Sequence, residues 1–141
     1  MKLIVTYYIA GLWYNPALLG CRSQINPILG ETLQREMATG EKIFCEQISH
    51  HPAVTAYSLH GPNGEYTLCG SHKLNGWLNG MNSLGGSKKG KAELVFHDTN
   101  TFYSIDNPEM SIENLLGTNK VQVFYKKAHI RDTANNIVAE I

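Results

Sequence analysis

The chain has 141 residues, a length that fits one domain with a substantial hydrophobic core. Twelve Lys and Arg residues balance twelve Asp and Glu residues, so the formal net charge is zero. This balance provides no overall attraction to nucleic acid or to an anionic membrane, although a local basic patch could still supply one.

The cysteines at positions 21, 45 and 69 are an odd number with no close pair, which argues against a disulfide framework. The sequence also contains no Asn-x-Ser/Thr glycosylation acceptor. Both features favour a reducing, cytoplasmic environment. The apolar run from Leu3 to Trp13 has only Lys2 as a basic flank and is too short to cross a bilayer, which argues against a signal peptide and a membrane helix.

Residues 2 to 14 are predicted to form a helix that ends at Asn15-Pro16, because the residue before a proline disfavours the helical conformation. Its apolar residues fall on two neighbouring stripes, one with Leu3, Tyr7, Ala10 and Tyr14 and the other with Ile4, Tyr8 and Gly11. Since the segment is apolar on most sides, we expect it to be buried.

From Glu31 onward, short segments rich in β-branched and aromatic residues alternate with Gly, Asn and Pro. The predicted strands are 42–48, 53–60, 65–72, 74–79, 91–97, 101–105, 120–127 and 137–141. Gly61-Pro62-Asn63-Gly64 predicts a turn, and residues 85–91 an exposed loop or a close strand connection. The pattern is typical of a mainly β protein, an antiparallel sheet or barrel with an N-terminal helix.

Two adjacent histidines in Glu46-Gln47-Ile48-Ser49-His50-His51-Pro52 lie between two predicted strands. A kink before Pro52 would let both side chains converge on one anion, and the N–H donors of histidine suit a phosphate monoester. The alternative is that His50 and His51 are ordinary turn residues.

Metal binding and catalysis are weaker alternatives for this region. Cys45, His50, His51 and His72 lack a recognised metal-ligand spacing, so we predict no metal and no cofactor. Ser49 and His50 are adjacent, but no Gly-x-Ser-x-Gly elbow occurs, and residues 85–88 lack the spacing of a P-loop. We therefore predict that the protein is not an enzyme.

A second conspicuous segment, Asn26-Pro27-Ile28-Leu29-Gly30-Glu31-Thr32, is either a structural turn or a phosphate-binding one. Together the two segments resemble the Asn-Pro-x-Leu-Gly-Glu-Thr and Glu-Gln-Val/Ile-Ser-His-His-Pro-Pro motifs of the oxysterol-binding-protein-related lipid-transfer family. Their order and approximate spacing also match. Asn107-Pro108 and Leu115-Leu116-Gly117 extend the resemblance over nearly the whole chain.

The resemblance implies a large antiparallel β-barrel around a lipid tunnel, of which residues 1–141 are a part without the lid and the C-terminal part. It implies transfer of lipids between membranes without vesicles. Phosphatidylinositol 4-phosphate and either a sterol or phosphatidylserine would share one tunnel, without a cofactor. The protein would be cytoplasmic and peripheral at organelle membranes.

By position, the resemblance implies that His50 and His51 donate to the inositol phosphate. Asn26 and the backbone around Ile25 would contact the headgroup from the opposite side, and Leu29 would lie near the tunnel entrance.

This chain departs from the family pattern at two places in these motifs. It has Ser23-Gln24 where the family commonly has Lys-Pro, so a headgroup lysine is missing, and Arg22 is the nearest substitute. Loss of such a charged hydrogen bond costs about 1.5–3 kcal/mol. Ala53 replaces the second proline of the histidine motif, which should be tolerated because alanine adopts an extended conformation.

Two functional hypotheses follow. The first is lipid-headgroup binding by a partial transfer domain. The second is a remnant that binds no lipid and associates only with other proteins through unpaired strand edges, because such edges pair readily with another chain.

Overall fold

The computed structural model describes residues 1–12 and 27–141 of the chain. The described residues form one α-helix, a short 3-10 helix at Pro62–Gly64 and eleven strands. The α-helix is α1 (Lys2–Leu12), and the strands are β1 (Thr32–Glu36), β2 (Lys42–Ser49), β3 (Val54–His60), β4 (Tyr66–Leu78), β5 (Ser83–Lys89), β6 (Lys91–Phe96), β7 (Thr101–Asp106), β8 (Glu109–Glu113), β9 (Val121–Phe124), β10 (His129–Asp132) and β11 (Ile137–Glu140).

All eleven described strands belong to one antiparallel sheet. Consecutive strands pair with each other, except for β5 and β6, β7 and β8, and β9 and β10. In each of these three cases, the two strands follow each other as one bent run. β5 and β6 form such a run against β4, and β7 with β8 forms the next. β9 and β10 pair with β8 and β7 in turn. The predicted mainly β fold with an N-terminal helix is confirmed, as a meander that is not closed within the described residues.

A bend crosses the middle of the sheet where these runs break. β4 changes partner between Gly70, which pairs with β6, and Lys73, which pairs with β5. Gly90 separates β5 from β6 with φ 143°, and a Cβ atom there would lie 1.9 Å from the carbonyl oxygen of Ser71. Only glycine fits this approach of two strands. In the neighbouring run, Asn107-Pro108 separates β7 from β8.

Most predicted strands are confirmed, but the prediction for residues 85–91 as a loop or connection is wrong. Most of this segment belongs to β5, which pairs with β4 on one side and with β8 on the other. Pairing on both sides overrides the low strand propensity of a Gly- and Lys-rich sequence. The predicted strands 65–72 and 74–79 are a single strand, β4, and β1, β8 and β10 were not predicted.

The prediction that the N-terminal helix is buried is also wrong, because no residue of α1 is fully buried. Ile4, Val5 and Tyr8 pack against the sheet, whereas Leu3 and Tyr7 are 82% and 85% exposed. The sheet lies on one side of α1, and no other described element packs against the opposite side. Only one apolar stripe of the helix is therefore covered.

The hydrophobic core lies between α1 and the part of the sheet formed by β6, β7 and β10. Its buried members are Ala92, Tyr103, Ile105 and Ile130, and Ile130 is fully buried. These side chains come from β6, β7 and β10, where alternation along each strand places them on the face that carries the helix. The core therefore fixes the first two turns of α1 to the part of the sheet formed by β6, β7 and β10.

Candidate functional site

His50 and His51 occupy the turn between β2 and β3, and both side chains are exposed. Their ring centroids are 4.4 Å apart with the planes inclined by 59°. The strand register shifts between Gln47 and Ser49, as in a β-bulge, and the His51–Pro52 peptide bond is cis. Because the strand is interrupted here, the two rings do not alternate between opposite faces but lie side by side.

Gln47 supports the end of β2 beneath the histidines. Its side chain is buried, its Nε2 donates to the carbonyl oxygen of Ser49 at 2.8 Å, and its Oε1 accepts from Thr55 Oγ1 at 2.7 Å. These bonds join the last residues of β2 to the start of β3 on either side of the turn. The buried amide therefore holds the turn that presents His50 and His51.

The segment that follows Asn26 lies directly against the histidine motif. Gly30 N donates to the carbonyl oxygen of Gln47 at 2.8 Å, and Gln47 N donates to the carbonyl oxygen of Glu31 at 3.0 Å. The Glu31 carboxylate also accepts from Ile28 N at 2.9 Å, which closes the preceding turn. Two motifs separated in the sequence thus share one edge of the sheet.

Only part of the predicted site can be placed. Arg22, Ile25 and Asn26 lie outside the described residues, so their headgroup contacts stay predictions. Leu29 is exposed in the turn that adjoins Gln47, and its role at a tunnel entrance likewise stays a prediction.

Two lysines lie across the sheet from the histidine turn, and sequence reasoning did not assign them to the site. Val54, at the start of β3, pairs with Lys73, which pairs in turn with Lys89. Leu74 N donates to the carbonyl oxygen of Ala53 at 3.0 Å and holds this row against the turn. Both lysines are exposed. The signal in the sequence is the Lys88-Lys89 pair, which lies in the segment predicted to be an exposed loop or a close strand connection.

His72, Cys45 and Cys69 do not form a metal site with the histidine turn. Across residues 1–12 and 27–141, no group of three His, Cys, Asp or Glu residues is placed to hold a metal ion. Cys45 and Cys69 are free, and burial raises the pKa of the Cys45 thiol. His72 instead packs against the Tyr57 ring, at a centroid distance of 4.9 Å, near the bend of the sheet.

An open groove lies where the end of α1 meets β9. Its volume is about 560 Å³, within the range of about 300–1,000 Å³ that is typical of ligand pockets. The lining side chains are mostly apolar, with lysines among them: Ile9, Leu12, Pro108, Lys120, Val121, Gln122, Phe124, Lys126 and Ile141. Such a groove suits an apolar ligand, and its lining includes neither His50 nor His51.

A single antiparallel meander that brings a His-His turn and an Ile-Leu-Gly-Glu-Thr segment to one edge defines an oxysterol-binding domain. The chain belongs to the oxysterol-binding protein family, whose model matches residues 1–141. No helix in the described part of the chain is long and apolar enough to cross a membrane.

Similar proteins agree with this assignment. The chain is 29% identical over 141 residues to oxysterol-binding protein 9 of Dictyostelium discoideum. The alignment covers all of this chain and 32% of that protein. It is 30% identical over 146 residues to oxysterol-binding protein-related protein 5 of Mus musculus, covering all of this chain and 16% of that protein. The chain thus spans about a third or less of the length of these relatives.

Solved structures show the same fold. The Osh1 ORD domain in complex with cholesterol matches with a TM-score of 0.67 and 26% identity, over 77% of this chain and 26% of that one. The Osh3 ORD of Saccharomyces cerevisiae in complex with PI(4)P matches with a TM-score of 0.73 and 19% identity, over 83% of this chain and 31% of that one. The predicted relation to ORD barrels is therefore confirmed.

Proposed function

We propose that this chain is part of a domain that binds lipids and transfers them between membranes without vesicles. The observation that carries the proposal is the edge where Gly30 and Glu31 bond to Gln47, and where the His50 and His51 rings lie 4.4 Å apart. Both rings are exposed, so each offers at least one N–H donor to a ligand in solvent. We assign it to the phosphorylated headgroup of phosphatidylinositol 4-phosphate.

The chemistry of the turn fits a phosphate monoester. Each imidazole offers one N–H donor when neutral and two when protonated. Lys73 and Lys89 add positive charge on the adjoining strands, and hydrogen bonds between charged partners are roughly twice as strong as neutral ones. Arg22, Asn26 and the backbone around Ile25 would complete the contacts from the other motif.

The apolar part of the cargo would occupy the face of the sheet that carries α1. The groove of about 560 Å³ lies where α1 meets β9, and Leu29 would lie near the entrance of the tunnel on the headgroup side. Solved relatives hold PI(4)P, cholesterol or ergosterol. We propose that a sterol or phosphatidylserine shares one tunnel with the phosphoinositide. Transfer of this kind breaks no bond in the cargo and uses no cofactor or metal, and it places the protein on the cytoplasmic side of organelle membranes.

A binding experiment tests the headgroup assignment. Short-chain, water-soluble phosphatidylinositol 4-phosphate is titrated into the chain by isothermal calorimetry. The His50→Ala, His51→Ala double variant should bind at least about tenfold more weakly, because two phosphate donors, each of the charge-assisted kind, are removed. His97→Ala is the matched control, since His97 is also exposed but lies at the opposite end of the strands, after β6. Equal affinity of the double variant and the native chain would refute the assignment.

The second candidate function is association through strand edges without lipid binding. It is favoured by β1, an edge strand that pairs only with β2 among the described strands and has five exposed residues. Analytical ultracentrifugation separates the two candidates. Concentration-dependent oligomers without lipid binding would support association, whereas a monomer that binds the short-chain lipid would exclude it.

A further inference from the structure

The β4–β5 hairpin projects beyond the histidine turn. Lys73 pairs with Val54 at the level of that turn, and β4 continues five residues further, to Leu78. At about 3.3 Å per residue, the end of the hairpin stands about 17 Å beyond the row that contains Val54. The hairpin therefore extends past the proposed headgroup site on the same edge of the sheet.

A second loop braces the end of this hairpin through one residue. Asn82, in the turn after β4, accepts from Leu116 N at 2.8 Å with its side chain and from Leu115 N at 3.1 Å with its backbone. Its Nδ2 also contacts Asn114 Oδ1 at 3.4 Å. The β4–β5 turn and the loop after β8 thus form one braced unit.

Three large apolar side chains protrude from this unit. Leu78 is 77% exposed, Met81 93% and Leu116 82%. We call these three residues the apolar tip. Single exposed apolar residues are common on protein surfaces, but a group of three on two braced turns marks an interaction site. Because these side chains are exposed at the end of the hairpin, the partner must accept a protrusion rather than fill a pocket.

The strands behind the apolar tip carry a local excess of positive charge that the zero net charge of the chain conceals. Residues 73–91 contain four lysines and no Asp or Glu. Lys73, Lys88 and Lys89 are exposed, and none of them forms an ion pair within the described part of the chain. We call these three residues the basic collar. Its charge is complementary to an anionic surface.

We propose that the apolar tip inserts into the interfacial layer of an anionic membrane while the basic collar faces the lipid headgroups. The inference rests on the proposed function, because a lipid cargo has to enter or leave the site at His50 from a bilayer on this edge. Apolar side chains of interfacial segments enter about 5–10 Å. The collar would then lie about 7–12 Å from the membrane surface, or about one Debye length from its charges.

The test is co-sedimentation of the chain with phosphatidylcholine vesicles, with and without phosphatidylserine, and without phosphoinositide. The tip variant is Leu78→Gln, Met81→Gln, Leu116→Gln, which should fold normally because all three side chains are exposed. Its control is Ile137→Gln, Val138→Gln, which changes two half-exposed apolar residues near the opposite end of the strands. A Lys88→Gln, Lys89→Gln variant tests the collar.

The native chain should bind vesicles that contain phosphatidylserine, and the tip variant should bind at least about tenfold more weakly. The collar variant should lose most of the salt dependence of binding, and the control should bind like the native chain. On a Met81→Trp chain, the added fluorescence should shift to shorter wavelength and be quenched by brominated lipid chains. The proposal would be overturned if the tip variant bound like the native chain, or if the native chain did not bind vesicles that contain phosphatidylserine.

The headgroup site is tested separately in the same preparation. Short-chain phosphatidylinositol 4-phosphate in solution reports on His50 and His51 without a bilayer, so the tip variant should bind it with native affinity. The His50→Ala, His51→Ala variant should conversely keep its binding to phosphatidylserine vesicles. Loss of vesicle binding in this variant would contradict a docking role for the tip.

Discussion

Asn107 Nδ2 donates a hydrogen bond to His72 Nε2 at 3.0 Å across the bend of the sheet. Tyr57 Oη lies 3.3 Å from the same ring nitrogen. Since an amide nitrogen can only donate, His72 Nε2 acts as the acceptor, and the ring is held in its neutral form. Burial, followed by the charge of Lys88, lowers the pKa of His72 below its ordinary value of 6.5.

The first prediction is a loss of stability in mild acid that depends on His72. Because its pKa is lower in the folded than in the unfolded chain, the unfolded chain takes up the proton first as the pH falls through 6.5. The free energy of unfolding should therefore decrease below this pH and level off once the folded ring is also protonated. Urea unfolding at a series of pH values measures the slope, which should be smaller in His72→Gln. An unchanged slope in that variant would mean that other groups cause the acid sensitivity.

The second prediction concerns the anchor of α1. Tyr8 Oη donates to the carbonyl oxygen of Asp106 at 2.8 Å, and burial, followed by the charge of Asp106, raises the pKa of Tyr8 to about 12. Tyr8→Phe should lower the free energy of unfolding by about 0.5–1.5 kcal/mol, because one half-buried hydrogen bond is lost. Tyr7→Phe, one residue away on the exposed side, should have no effect in the same urea titration. Equal effects of the two changes would argue against a specific anchor.

The strands that the sequence predicts correctly are those with their own propensity, such as β3 with Val54, Thr55 and Tyr57. β5 was missed because its Gly85-Gly86-Ser87 sequence favours a strand only between two partners, β4 and β8. Which stripe of the helix is covered likewise depended on the position of the sheet. Propensity and periodicity describe local preference. The formation of β5 and the burial of one helix stripe depend instead on contacts between segments that are distant in the sequence.

The candidate site is also only partly predictable from the sequence. The identity of His50 and His51 was readable from the motif, whereas their side-by-side rings depend on the register shift after Gln47. Lys73 and Lys89 joined the site only because β3, β4 and β5 are neighbours. The sequence shows which residues can bind a phosphate, but only the order of the strands shows that Lys73 and Lys89 lie near the histidine turn.

The third prediction tests the close approach of strands at the bend. Gly90→Ala should lower the free energy of unfolding by about 2 kcal/mol or more, because the added Cβ meets the Ser71 carbonyl and the residue keeps a positive φ. Gly86→Ala is the control, since the nearest atom to its Cβ is 3.8 Å away and φ is not positive. Chemical denaturation of both variants gives the comparison. A Gly90→Ala chain as stable as Gly86→Ala would show that the bend can open to accept a side chain.

The fourth prediction separates support of the histidine turn from contact with the ligand. Gln47→Ala removes the bonds to Ser49 and Thr55, so it should lower the free energy of unfolding by about 1–3 kcal/mol. Since the turn then loses its brace, affinity for short-chain phosphatidylinositol 4-phosphate should fall by up to about tenfold, or about 1.4 kcal/mol.

Gln34→Ala serves as the control for Gln47→Ala, because Gln34 is exposed on β1 and should leave both quantities unchanged. Calorimetric titration at a temperature where every variant is folded separates affinity from stability. A Gln47→Ala chain that is less stable but binds with native affinity would show that His50 and His51 hold their positions without the buried amide. A chain that loses affinity in step with stability would instead identify Gln47 as the residue that positions both rings for the phosphate.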